Sequence, residues 1–172
     1  MPAEWRRGPD GGLAVDACMR VLGAPAGVYA AGDACCAAAW EQPHWHQMRL
    51  WSQARAGGGF AGRCMADADA ALDATFELFT HCTRFLGLPV VLLGRFNGQG
   101  LGEEATMYSR VDAASFVRVL LVRGRLRGAV LIGDEACALA ETFEQLILDE
   151  LDVSALGPHI LDPDVDIEDY FD

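Results

Sequence analysis

The chain has 172 residues, 13 basic and 25 acidic side chains, and a formal net charge of −12. A chain of this length makes one domain or two small ones and can bury about two-thirds of its unfolded surface; 52% hydrophobic and 22% charged residues exclude a disordered polymer. No run approaches the roughly 20 apolar residues of a membrane-spanning helix, Gly8-Pro9-Asp10-Gly11-Gly12 interrupts any secretory core, and the acidic balance excludes whole-surface binding to phosphate backbones. A soluble, intracellular protein is expected, with no direct nucleic-acid binding and no membrane partner.

In chain order, residues 13–20 and 27–31 read as extended. Gly27-Val28-Tyr29-Ala30-Ala31 has the short apolar character of a strand buried on both faces, and it stops at Gly32-Asp33. Ala34 to Gln42 is a small-residue loop. A helix is expected from about Pro43, whose missing N–H suits a first turn, to Met65. Gly57-Gly58-Gly59 inside it costs about 1 kcal/mol per glycine relative to alanine and predicts a kink or fraying. The alanine-rich acidic stretch Asp67 to Asp73 reads as a hinge. Beyond it, Thr75–Arg84, Val90–Phe96, Thr106–Val111, Ser115–Val122 and Arg125–Ile132 read as strands, the last two joined by a tight hairpin at Arg123-Gly124. Gly98, Gly100 and Gly102 lead into a strand, not a helix, so a loop is expected there and not a phosphate cradle. Glu135 to Leu151 is an amphipathic helix. The expected organisation is therefore 1–66, a hinge at 67–74, an α+β unit at 75–156 (an antiparallel sheet with a covering helix), and an acidic tail at 157–172.

Three features carry chemistry. Ligands of parallel α/β sheets lie beyond the carboxyl ends of strands. Gly32 permits close backbone approach there, Asp33 offers a carboxylate to a sugar-alcohol hydroxyl, and a helix beginning near Pro43 would aim its unpaired N–H groups at the same space. Six cysteines, at 18, 35, 36, 64, 82 and 137, form no C-x-x-C pair and are expected to be reduced, buried thiols. Cys35 and Cys36 with His44 and His46 leave a metal site as an alternative, though the spacing fits no zinc pattern. The tail from Asp162 to Asp172 holds six carboxylates and no base. It is either solvated or docked through Val165, Ile167, Tyr170 and Phe171, onto its own domain or onto a basic partner.

Val28-Tyr29-Ala30-Ala31-Gly32-Asp33 resembles the second flavin-binding motif of the pyridine nucleotide-disulfide oxidoreductases. Gln47 to Arg55, Phe76 to His81, Val91 to Gly100, Leu161-Asp162-Pro163 and Ile167 to Asp172 extend the resemblance over nearly the whole chain from about Gly11, and it is to the C-terminal part of such proteins. The resemblance implies an α/β segment of a flavin-binding Rossmann-like domain followed by the small α+β domain. It also implies an FAD-dependent, NAD(P)H-linked oxidoreductase of the oxidative-stress response, in the nucleus and cytoplasm including the sarcomere. Gly32 and Asp33 would match the flavin motif, Asp33 meeting the ribityl chain, and Pro43, His44 and Trp45 would fall where the family's helix begins under the isoalloxazine. The family's two glycine-rich dinucleotide loops are not in these residues. The FAD site is therefore expected to be incomplete, the nicotinamide cofactor to belong to a longer protein, and the isolated chain to be inactive. No catalytic residue and no metal ligand is assigned. A non-enzymatic interaction module, using the α+β domain and the acidic tail to hold a protein partner, is the alternative.

Overall fold

The computed structural model describes residues 5–38, 40, 42–67, 70–72, 74–165 and 167. It divides into two compact units, Met1–Phe76 and Glu77–Asp172.

The first unit opens with short extended pieces held by scattered bridges. Strand β1 (Leu13–Ala14) pairs in parallel with β2 (Cys35–Cys36), while Val15 with Val21 and Arg20 with Tyr29 form isolated antiparallel bridges. The strand expected over 27–31 is absent. Gly27 takes φ +87°, and the segment instead lies beside residues 19–21 through Val21 N–H to Val28 O and Ala30 N–H to Met19 O. A strand buried on both faces needs a neighbour on each edge, and this segment has only the Met19–Val21 turn beside it. Gly32–Ala34 forms a single 3-10 turn leading into β2.

Helix α1 spans Trp51–Ala66, not Pro43 onward. Leu50 before it is extended, at φ −118° and ψ 141°. Gln53, in the third helical position, folds back: its Oε1 accepts from Met48 N–H at 2.7 Å and its Nε2 donates to His46 O at 3.0 Å. These two bonds tie the extended approach at His46 and Met48 to the first turn of the helix, which starts eight residues after the proline. The expected kink is also absent. Gly57 is buried beneath Met19, whose methyl would lie 3.1 Å from an added Cβ, and the turn packing there holds the helix through all three glycines. Trp40 and Trp45 stack at 5.3 Å, and both meet Phe76 edge-on, at 5.3 and 5.7 Å, over Phe60. This aromatic cluster is the unit's core.

In the second unit five strands form one antiparallel sheet: β3 (Thr80–Phe85), β4 (Leu88–Gly94), β5 (Ala105–Val111), β6 (Phe116–Val122) and β7 (Arg125–Ile132), in the order β3-β4-β7-β6-β5. The strand expected from Thr75 begins only at Thr80, because Thr75 and Phe76 lie in a 3-10 turn. Arg123 and Gly124 both take positive φ, 52° and 74°, the geometry a two-residue hairpin needs to match strand twist. On one face Val117, Val119 and Leu121 alternate with outward residues and meet Leu93, Leu126 and Leu131. The expected covering helix is present in two pieces, α2 (Asp134–Cys137) and α3 (Ala140–Leu148). The break falls at Leu139, where ψ is −1° and its N–H bonds three residues back to Ala136 O. Phe143, Leu146 and Ile147 of α3 are fully buried on the sheet, each contributing about 1.5–3 kcal/mol of transfer free energy. A 3-10 turn at Gly157–Leu161 closes this core, and Val165 and Ile167 pack onto it. The tail's apolar residues thus dock on their own unit as far as Ile167; Tyr170 and Phe171 lie outside the described residues.

Candidate functional site

The Gly32–Ala34 turn sits on the first turns of α1. Gly32 has φ +66°, and a Cβ there would stand 3.1 Å from Ala54 Cβ, so only glycine lets the backbone approach the helix this closely. Asp33, at the crest of the turn, is exposed, and no hydrogen bond or ion pair engages its carboxylate among the described residues.

Gln47 anchors the turn from below. Its Nε2 donates to Cys35 O at 2.9 Å and, at 3.5 Å, to Gly32 O; its Oε1 accepts from Ala37 N–H at 2.8 Å. One amide thereby satisfies three backbone groups flanking β2 that cannot all join so short a ladder. The crevice enclosed by Gly32, Cys35, Gln47, Gln53 and Ala54 has a volume of about 20 Å³, room for one water.

The helix α1 begins without a side-chain cap. Its first backbone bond is Ala54 N–H to Leu50 O at 2.9 Å, so the N–H groups of Trp51, Ser52 and Gln53 precede the ladder. Trp51 is 76% exposed, with the Arg55 guanidinium 5.6 Å from its ring centre. The predicted residues therefore separate. Gly32 and Asp33 come to the helix start, whereas Pro43 is exposed in the preceding segment and His44 and Trp45 are buried there, Trp45 in the aromatic cluster. The helix start that sequence reading placed at Pro43-His44-Trp45 is made by Trp51-Ser52-Gln53. The signal that could have found it is Gln53, three residues after an extended leucine.

The cysteines of β2 are buried, and burial pushes both thiols up. At Cys36 the neighbouring Asp10 carboxylate, which the thiol donates to, adds to the rise. Among the described residues no three His, Cys, Asp or Glu side chains are grouped to hold a metal, and no helix is long and apolar enough to cross a membrane.

No family model matches the chain. Curated relatives do. The protein of Mus musculus named pyridine nucleotide-disulfide oxidoreductase domain-containing protein 1 is 48% identical over 170 residues, which are 96% of this chain and 33% of the relative. Its counterparts are 46% identical in Homo sapiens, over 96% of this chain and 33% of the relative, and 50% in Drosophila melanogaster, over 95% and 35%. Among solved structures, the FAD-dependent pyridine nucleotide-disulphide oxidoreductase from Desulfovibrio vulgaris aligns with a TM-score of 0.66 at 19% identity, over 90% of this chain and 39% of that one. The NAD-dependent persulfide reductase from A. fulgidus aligns with a TM-score of 0.64 at 16% identity, over 90% and 30%. The structural likeness establishes a shared fold. The sequence likeness goes further, although the chain spans only about a third of the length of its curated relatives. Along nearly its whole length, this chain is homologous to the C-terminal part of pyridine nucleotide-disulfide oxidoreductase domain-containing protein 1.

Proposed function

We propose that the first unit supplies one wall of a flavin site in an FAD-dependent, NAD(P)H-linked oxidoreductase. The observation that supports this is the Gly32-Asp33 turn packed on Ala54 in the first turns of α1, which places an exposed carboxylate next in sequence to a glycine that touches a helix start with no side-chain cap. When bound, FAD would supply two-electron transfer from a nicotinamide. Asp33 would accept hydrogen bonds from the ribityl hydroxyls. The N–H groups of Trp51, Ser52 and Gln53, at the positive end of the helix dipole, would stabilise negative charge on the pyrimidine end of the reduced ring. Gly32 keeps the turn low enough for both contacts. These residues form a wall and not a cavity, so the isolated chain holds FAD weakly and is inactive. The oxidative-stress role and the nuclear and cytoplasmic location are part of the same proposal and rest on kinship.

The test has two arms. The isolated chain, incubated with FAD and desalted, should retain no stoichiometric flavin absorbance; a yellow protein would refute its incompleteness. The chain grafted in place of the matching third of the mouse relative should retain flavin, and D33N in that graft should weaken retention by about tenfold or more, the value of losing a charged hydrogen-bond acceptor. A graft that retains flavin equally well with Asn at position 33 would sink the assignment.

A further inference from the structure

The β3–β4 hairpin ends in an apolar finger that the packing of its own unit does not use. Phe85 and Leu86 at its tip are 64% and 87% exposed, and Leu88 beside them is exposed as well. Leu86 and Gly87 both take positive φ, 50° and 84°, the geometry of a two-residue turn that favours Asn, Asp or Gly. A bulky leucine in that conformation is strained, and one so exposed recovers nothing by burial against its own chain. The finger is also set apart by charge. The chain carries a net −12, yet no acidic residue lies between Glu77 and Glu103. Arg84, on the finger, donates to Gly87 O at 2.9 Å and meets no carboxylate among the described residues. A surface of opposite character lies on the far edge of the same sheet. Where the Gly157–Leu161 turn runs beside β5, a hollow of about 510 Å³ opens, large enough for whole side chains. Leu139, Ile160, Leu161 and Val165 make its walls, and Glu135, Asp162 and Asp164 bring carboxylates to it. Arg110, the base among the described residues lining it, is neutralised by Asp112 at 2.8 Å and donates to Leu161 O.

We propose that the finger of one copy docks in the hollow of a second copy of this chain. Phe85 and Leu86 enter between the aliphatic walls, and the Arg84 guanidinium meets the Glu135 and Asp164 carboxylates. The finger cannot serve its own hollow. Pairing from Thr80 with Leu93 to Phe85 with Leu88 holds the hairpin in the sheet, and four strand spacings, about 19 Å, separate β3 from β5. Charge selects the contact. Two copies this acidic repel over most of their surface, and the acid-free finger is a region that can approach carboxylates without that cost. Burying Leu86 in the hollow also supplies the packing that its strained turn lacks. Because finger and hollow are different surfaces, the contact is heterologous, and copies add head to tail until the rotation closes.

Sedimentation equilibrium of the whole chain over a concentration series tests this. The average mass of the wild type should rise above 18.5 kDa as concentration increases. L86N puts a favoured turn residue at the tip, so it keeps the hairpin, and it should weaken association by about tenfold or more, the worth of one buried leucine. The double variant E135K with D164K reverses two exposed carboxylates, leaves the core intact and should weaken association likewise. L86N mixed with that double variant should form one-to-one pairs and stop there, since one intact finger and one intact hollow remain. Circular dichroism matching the wild type shows that each variant is folded. A wild type that stays monomeric up to about 1 mM, where binding free energy is only about 4 kcal/mol, overturns the proposal. So does association that L86N leaves unchanged, which would place the contact on another surface, and so does a mixture of the two folded variants that forms no pairs.

Discussion

Gln47 is the side chain on which the Gly32–Asp33 turn depends, and its removal has a calculable cost. In Q47A the N–H of Ala37 and the carbonyl of Cys35, both in buried residues, lose their partners. An orphaned buried backbone group costs about 1–3 kcal/mol, so two cost about 2–6 kcal/mol. The adjoining crevice of about 20 Å³ admits one water that recovers part of this, leaving about 2–4 kcal/mol. All four tryptophans (5, 40, 45 and 51) lie in the first unit, so their fluorescence during urea unfolding reports this unit selectively. With an m-value near 1 kcal/mol/M, typical of small units, the midpoint should fall by about 2–4 M. Q47L fills the volume but restores neither bond, so it should fall comparably. Q47E separates hydrogen bonding from size. Protonated, it can still donate to Cys35 O; ionised, it presents a charge to that carbonyl. The folded state therefore raises its pKa, and its stability is present below the free-Glu value of about 4.3 and lost as pH rises through the higher folded value. A Q47A midpoint indistinguishable from wild type, or a Q47E deficit independent of pH, would refute the reasoning.

Two further outcomes follow from named contacts. Phe143, fully buried between α3 and the sheet, should cost about 3–5 kcal/mol when changed to alanine, read as loss of sheet circular dichroism at lower temperature; tryptophan fluorescence should show the first unit's own transition. Asp10 is held below its usual 3.8 first by the Cys36 thiol, then by the Gly12 N–H, with the Arg49 charge a smaller contribution against slight burial. Because its folded pKa is depressed, its contribution is present above the unfolded value and lost as pH falls through the folded one. C36A should therefore move the Asp10 NMR titration upward and shrink that acid-side loss; an unmoved midpoint would contradict the thiol's role.

The second unit was largely legible because its strands carry their own signals. Arg125–Ile132 and its hairpin at Arg123-Gly124 stand where β-branched runs and turn residues put them. The first unit was less so. Val28 to Ala31 look like a central strand, yet they gain only the bridge at Tyr29; pairing is a property of neighbours, which periodicity does not encode. Pro43 looked like a helix start, but His44 and Trp45 are buried ahead of the helix, and Gln53 in its first turn bonds back to His46 and Met48. Gly32 and Asp33 were visible as a motif. The N–H groups of Trp51, Ser52 and Gln53 were not, since backbone donors carry no side-chain signature.

The order β3-β4-β7-β6-β5 joins two hairpin-connected groups through one seam, where Val90 to Gly94 meet Ile132 to Gly128. Every other pairing in the sheet links strands adjacent in the chain and closes a short loop. The seam must draw together segments separated by the whole β5–β6 excursion, so the entropy of that closure falls there. Refolding of this unit should accordingly wait on β4 meeting β7, and substitutions along those two strands should slow it more than substitutions at the outer edges.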